Sequence, residues 1–261
     1  MLKFFNSKLL ILFTLLISST AHASGGFSWI SSLIHAFHLP IAEHVLTFIL
    51  TGLALVLVGV LYKSKLAKVG NAIIPDKGIT LRNIVESYGQ FIMGQCKAVI
   101  GEKDGPEYFS FVASIFIVIF VNNMIGLIPG FLPPTEQTST TLALGMFSFL
   151  YYNYIGCKKL GTVNYLKHFA GPLWYMAILI FPIEILSNFV RPISLALRLR
   201  GNMMGDHMVL SVFSDLAPLL VPIVFMVLGI LVSFIQAYVF TCLSMVYISL
   251  ASAHHDHDEH H

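Results

Sequence analysis

Charged residues are scarce in this sequence. Asp, Glu, Lys and Arg make up 11% of its 261 residues, where soluble domains carry about 25%. That scarcity excludes an ordinary water-soluble domain. The net charge of +2 supplies no strongly basic surface, and no nucleic-acid partner is expected. Cysteine is nearly missing too: Cys96, Cys157 and Cys242 are scattered and lack CxxC spacing, which excludes a disulfide framework and a thiolate metal site. The sequence holds no GxxxxGK[ST] loop, no HExxH pair and no evident nucleophile–base pair. Phosphate-cradling, zinc-protease and covalent hydrolase chemistry therefore lack their usual parts. No cofactor, metal or catalytic residue is expected, and the chain is expected not to be an enzyme.

What is present is hydrophobic residue, 56% of the chain. Several apolar runs reach the roughly 20 residues that a helix needs to cross a hydrocarbon core. In lipid the backbone must satisfy its own polar groups, and these runs are too long and continuous for barrel strands. The fold class expected is an all-α polytopic membrane protein, with about five membrane helices after a signal peptide.

Lys3 and Lys8, the apolar run Leu9–Ile17 and the small-x-small Ala21-His22-Ala23 read as a signal peptide over 1–23. The alternative is an uncleaved anchor helix. A single membrane domain, 24–261, follows. Its first span, about Ile41 to Tyr62, runs into Lys63, Lys65 and Lys68, which places that end in the cytoplasm and the mature N-terminus outside. Leu81, Ile84, Val85, Tyr88, Phe91 and Ile92 then recur at helical spacing. They predict an amphipathic cytoplasmic segment near 76–105, either along the inner interface or packed as a soluble helix on the bundle. Further spans are expected at about Phe109–Ile128 and Thr141–Ile155, joined by a stiff external turn over Pro129–Pro134. Two very long segments, about Leu173–Phe213 and Leu216–Ser252, bend at Asp215 and Pro218 and form a hairpin that returns the C-terminus to the cytoplasm. The ending His254–His261 alternates His with Asp and Glu. It is read as a disordered tail rather than a metal site.

Ionisable groups inside membrane segments are expensive and point to function. The segment 173–213 holds Glu184, Arg191, Arg198, Arg200, Asp206 and His207. At about 100° per residue, Ser194, Arg198, Asn202 and Asp206 drift slowly along one side, with Glu184 about 40° from Arg198. His207 falls about 180° away and joins that path only if the helix is distorted. On the last segment Gly229, Ser233, Gln236 and Tyr247 lie close to one face. An antiparallel register pairs Arg198 with Gln236 at mid-membrane and His207 with Gly229 toward the outside; Glu184 and Tyr247 lie toward the inside. A fixed positive charge thus interrupts the polar line. Arg cannot relay a proton and repels a passing cation, yet it favours the ionised form of a carboxylate moving past it. Asp206 and Glu184 lie about 12 and 21 Å from it along the axis, so an intrachain ion pair would need another helix.

The run Arg191-Pro192-Ile193-Ser194-Leu195-Ala196-Leu197-Arg198-Leu199-Arg200-Gly201-Asn202-Met203 resembles the signature of F-type ATP synthase subunit a. Gln236–Phe240 and Val246–Leu250 resemble that family's last helix, and Asn123 before Gly126-Leu127-Ile128-Pro129 an earlier one. The resemblance implies a bacterial inner-membrane subunit that couples ion flow to rotation and ATP synthesis, without doing ATP chemistry itself. Its implied partners are the c-ring, peripheral stalk subunit b and membrane lipid. By the same resemblance Arg198 faces the ring carboxylates and Gln236 supports it. Asn202, Asp206, His207 and Asn123 line the outer half-channel, Glu184 and Ser194 the inner one, and the last two helices are strongly tilted. The chain departs from many bacterial relatives, which carry Gly-Glu at Asp206-His207 and His at Gly229. That pattern reads as ionisable groups exchanged between facing helices, and it leaves open which of Asp206 and His207 is the proton donor.

Blander roles stand beside these. His207 could be a satisfied polar residue near the interface, Asn123 and Ser194 could merely hydrogen-bond neighbouring helices, and Arg200 is expected at a headgroup or partner. The alternative function is a self-contained ion channel or transporter.

Overall fold

A computed structural model describes residues 28–38, 40–67, 76, 78, 80–128, 130–162, 165, 177–216 and 220–252. The signal-peptide reading, the bend at Pro218 and the His/Asp tail lie outside them. Among the described residues the chain is all-α. Seven α-helices follow in order: α1 (Trp29–Phe37), α2 (Glu43–Leu66), α3 (Leu81–Ile100), α4 (Gly105–Ile125), α5 (Thr138–Leu160), α6 (Ala177–Leu216) and α7 (Leu220–Ser252). A 3-10 turn, Pro134–Glu136, precedes α5.

Local chemistry sets the boundaries. Ser28 and Thr80 cap α1 and α3 by accepting from the backbone N–H groups of Ser31 and Asn83, the usual service of a hydroxyl at a helix start. Gly101 ends α3 at φ 118, a conformation that side chains avoid. Pro106 sits in the first turn of α4, where its missing N–H costs nothing. Arg82, 1% exposed, pairs with Glu86 at 2.7 Å and Asp76 at 3.2 Å. The Glu86 carboxylate leads in holding that guanidinium's pKa above its ordinary value.

Four helices are long and apolar enough to cross a membrane: Glu43–Leu66, Gly105–Ile125, Ile178–Phe213 and Ile223–Ala251. The fifth expected span forms as α5 but is more polar. Its polarity faces inward. Thr141, Gly145, Ser148 and Tyr152 are buried, whereas Leu142, Met146, Leu150 and Tyr154 are exposed at helical spacing. Small and hydroxyl residues inside with apolar ones outside is the arrangement of helix interfaces in lipid.

α4, α5, α6 and α7 form the central bundle, and α3 lies against α4 and α7. Tyr88 of α3 donates to the Ala113 carbonyl at 2.6 Å, and Tyr238 of α7 donates to Gln95 at 2.9 Å. The amphipathic segment is therefore a helix docked on the bundle. α2 is the outlier: only Thr47 and Thr51 are buried on it, and Thr51 donates to Asn122 of α4 at 3.0 Å. Gly145 lets α5 meet α6 closely, since a Cβ there would stand 2.6 Å from the Pro192 carbonyl oxygen. α6, with 40 residues, extends about 60 Å at 1.5 Å per residue. That is twice a hydrocarbon core, so α6 tilts within a bilayer or projects beyond it.

Candidate functional site

α6 and α7 run antiparallel from the level of Phe213 and Phe225 to that of Arg191 and Tyr247. Phe213 stacks on Phe225 at 4.9 Å, and the Arg191 guanidinium lies 5.0 Å from the Tyr247 ring. Between these ends Gly229 faces Asp206: a Cβ on Gly229 would stand 2.9 Å from Asp206 Oδ2 and 2.4 Å from Leu127 Cδ2. The register that sets position 207 beside 229 thus describes the actual pairing, and no side chain fits at 229 while Asp206 and Leu127 hold their places.

An open groove of about 440 Å³ runs between the two helices. Gly201, Asn202, Gly205 and Asp206 line it from α6, and Gln236 lines it from α7 among apolar neighbours. On the same side Ser194, Arg198 and Asn202 are exposed, and nothing lies within 4 Å of a Cβ placed on Gly201 or Gly205. Among the described residues none pairs with Arg198. A central charge at a membrane helix costs about 2.5–3.5 kcal/mol on insertion scales, so this face invites an anionic partner from another molecule.

His207 turns the other way. Its Nε2 lies 3.2 Å from the Gly126 carbonyl, and its Nδ1 lies 3.2 Å from Glu136 Oε2. The undistorted helix puts Asp206 in the groove and His207 inside the bundle, as the 100° step between them requires. Arg200 also departs from expectation. It is half-buried, and its Nε donates to the Glu136 carbonyl at 3.3 Å, because Arg200 and His207 are seven residues apart and share a face. Asn123 is 0% exposed, and among the described residues neither its Oδ1 nor its Nδ2 finds a hydrogen-bond partner.

At the opposite end of the hairpin, Glu184 lies 3.8 Å from Arg191. Beside them Tyr152 donates to Asn188 Oδ1 at 2.5 Å, and Asn188 Nδ2 donates to Asn153 Oδ1 at 3.2 Å. The structure therefore brings Asn202, Asp206 and Gln236 together with Arg198 on their side. It sets Glu184 and Tyr247 around Arg191, and separates His207 and Asn123 into the interior. Ser194 stays on the exposed face.

Sequence reasoning missed Glu136. A signal was available: it is the sole Asp, Glu, Lys or Arg between Glu107 and Lys158. It also missed Asn188 and Tyr152, whose partnership depends on how α5 packs. Among the described residues there is no group of three or more His, Cys, Asp or Glu able to hold a metal.

The family model described as ATP synthase A chain matches residues 44–249. A protein of Bdellovibrio bacteriovorus, "ATP synthase subunit a", is 49% identical over 214 residues, covering 82% of this chain and 93% of that one. Proteins of the same printed name from Geobacter sulfurreducens and Sorangium cellulosum are 47% identical over 176 residues and 39% over 190. They cover 67% and 73% of this chain, and 76% and 74% of their own lengths, respectively.

Proposed function

Because the chain belongs to the ATP synthase A chain family, we propose that it is the stationary ion pathway of the rotary complex, seated against a c-ring through the exposed face of α6. It is a multi-pass membrane protein of that complex and serves ATP synthesis and proton transport. The observation that carries the finer reading is Arg198: exposed, unpaired among the described residues, and flanked by Ser194, Gly201 and Gly205, whose small size lets another helix approach closely.

In this reading the α6–α7 bend is outside and the C-terminus cytoplasmic, in a bacterial inner membrane. Protons enter by an outer half-channel through His207, Asp206 and Asn202. They neutralise a ring carboxylate, ride nearly a full turn, and leave by an inner half-channel near Glu184, Ser194 and Tyr247. Arg198, permanently charged, draws the ionised carboxylate past and blocks a direct leak. Gln236, across the groove, offers amide donors and acceptors beside it. Each charge crossing 100 mV supplies about 2.3 kcal/mol to turn the rotor. ATP chemistry belongs to other subunits, and this chain performs no catalysis. The apolar surface of α2 faces lipid and the peripheral stalk subunit b.

The test is ATP-driven pumping in inverted membrane vesicles carrying Arg198→Ala, with assembly checked by co-purification. Pumping is expected to be lost in an assembled complex. Normal coupled pumping would sink the assignment. Ion flux through the purified chain alone would favour a self-contained channel instead.

A further inference from the structure

On the face of α6 that turns away from the groove, His207 meets Glu136, a residue outside the pathway described so far. His207 Nε2 faces the Gly126 carbonyl, and a carbonyl only accepts, so Nε2 carries a hydrogen. Nδ1 then faces Glu136 Oε2 at 3.2 Å. Two lone pairs at that separation repel, so the contact is favourable with one proton on the imidazole or on the carboxyl. The pair is a holder for a single exchangeable proton. The two side chains are 30% and 22% exposed, with Oε2 itself buried. Arg200 fixes its loop through the Glu136 carbonyl.

Below the pair lies buried polarity left unsatisfied among the described residues. Asn123, Thr135 and Ser233 are each 0% exposed. Among the described residues, Asn123 Oδ1 and Nδ2, Thr135 Oγ1 and Ser233 Oγ find no hydrogen-bond partner. Asn123 and Ser233 adjoin one seam, and Thr135 lies in the turn packed against α4. α4 and α7 are antiparallel, with Leu127 against Gly229 and Phe120 against Phe234 at 6.2 Å, and Asn123 and Ser233 fall between those contacts. Pro133, two residues before Thr135, covers Gly126 at the top of the same seam. Leaving such groups dry costs about 1–3 kcal/mol each, and interior polar groups without protein partners are satisfied by water. Asp206 stands at the same seam, its Oδ2 abutting Gly229 about one helical turn from Ser233.

We propose that Glu136 and His207 form a one-proton exchange site at the head of a water-lined arm that passes Thr135, Asn123 and Ser233 and delivers protons to Asp206 in the groove. A proton from outside water binds the pair, and the same proton leaves through water to the Asp206 carboxylate. This rests on the stationary-pathway reading above and adds Glu136, Thr135 and Ser233 to it.

The experiment uses assembled complexes in inverted vesicles. Glu136→Gln is expected to lower ATP-driven pumping at least tenfold with assembly intact, and Glu136→Asp to retain most of it. The exchange Glu136→His with His207→Glu should pump better than either single change. A purely structural Glu136 would tolerate Gln at least as well as Asp and gain nothing from the exchange, and that result overturns the proposal. Independently, with Cys96, Cys157 and Cys242 replaced by Ala, Ser233→Cys should react in whole cells with a membrane-impermeant cationic methanethiosulfonate. An unreactive Ser233→Cys removes the arm. Arg198→Ala is run alongside. Lost pumping there with normal pumping in Glu136→Gln overturns this inference alone, whereas normal pumping in Arg198→Ala overturns the reading beneath it.

Discussion

Gly145→Ala tests a close approach of α5 to the backbone of α6. A Cβ at position 145 would stand 2.6 Å from the Pro192 carbonyl oxygen and 3.6 Å from Ala196 Cβ. The obstructing atom is backbone, so α5 and α6 must separate rather than one side chain swing aside. Overpacking of this kind costs about 1–3 kcal/mol. Replacing Gly by Ala inside a helix returns about 1 kcal/mol, so the net expectation is a destabilisation of about 0–2 kcal/mol. Gly201→Ala is the internal control. It gains the same propensity term but meets nothing within 4 Å, so it should be stabilised by about 1 kcal/mol. The difference between the two variants isolates the contact at about 1–3 kcal/mol. At about 2–4 °C per kcal/mol for a chain of this size, thermal unfolding of the purified chain in mild detergent resolves it by near-ultraviolet circular dichroism. Equal shifts for the two variants would refute the close approach of α5 to Pro192.

Two smaller effects follow from single hydrogen bonds and from burial. Ser244 donates its hydrogen to the Phe240 carbonyl, so in its 2.8 Å contact with Ser148 the donor is Ser148. Ser244→Ala strands that buried donor and should cost about 1–3 kcal/mol, more than the roughly 0.5–1.5 kcal/mol of Ser148→Ala; the reverse order in the same unfolding assay would reassign the donor. Cys96 is 0% exposed and burial pushes its thiol up to about 11. The thiolate is the reactive form and is scarce well below that pH. N-ethylmaleimide near neutral pH should therefore spare Cys96 while labelling half-buried Cys157, and equal labelling in the native chain would contradict that burial.

Much of the molecule was legible because membrane sequences obey strong local constraints. Backbone polarity forbids anything but helices in the long apolar runs, and helical periodicity alone set Ser194, Arg198, Asn202 and Asp206 along one side of α6. Even the pairing of position 229 with 206–207 followed from two helices joined by a short bend. α5 shows the limit of hydropathy. Its average is lowered by Thr141, Ser148 and Tyr152, yet these face inward, so only the packed bundle shows that its outer surface is apolar. Glu136 shows the limit of motif reading: a short 3-10 turn has no periodicity to reveal which way its carboxylate points.

The sequence by itself determined the all-α membrane architecture, the long C-terminal hairpin and the side of α6 that bears Arg198. These depend on solvent and on the 3.6-residue repeat, both local. The tertiary structure alone decided that His207 meets Glu136 and Gly126, that Arg200 holds the loop between α4 and α5, and that Asn123 and Ser233 lie in one seam, unsatisfied among the described residues. Such meetings join segments distant along the chain. Their geometry is set by helix crossing and by close approach at Gly145 and Gly229, and periodicity within one helix carries no information about either.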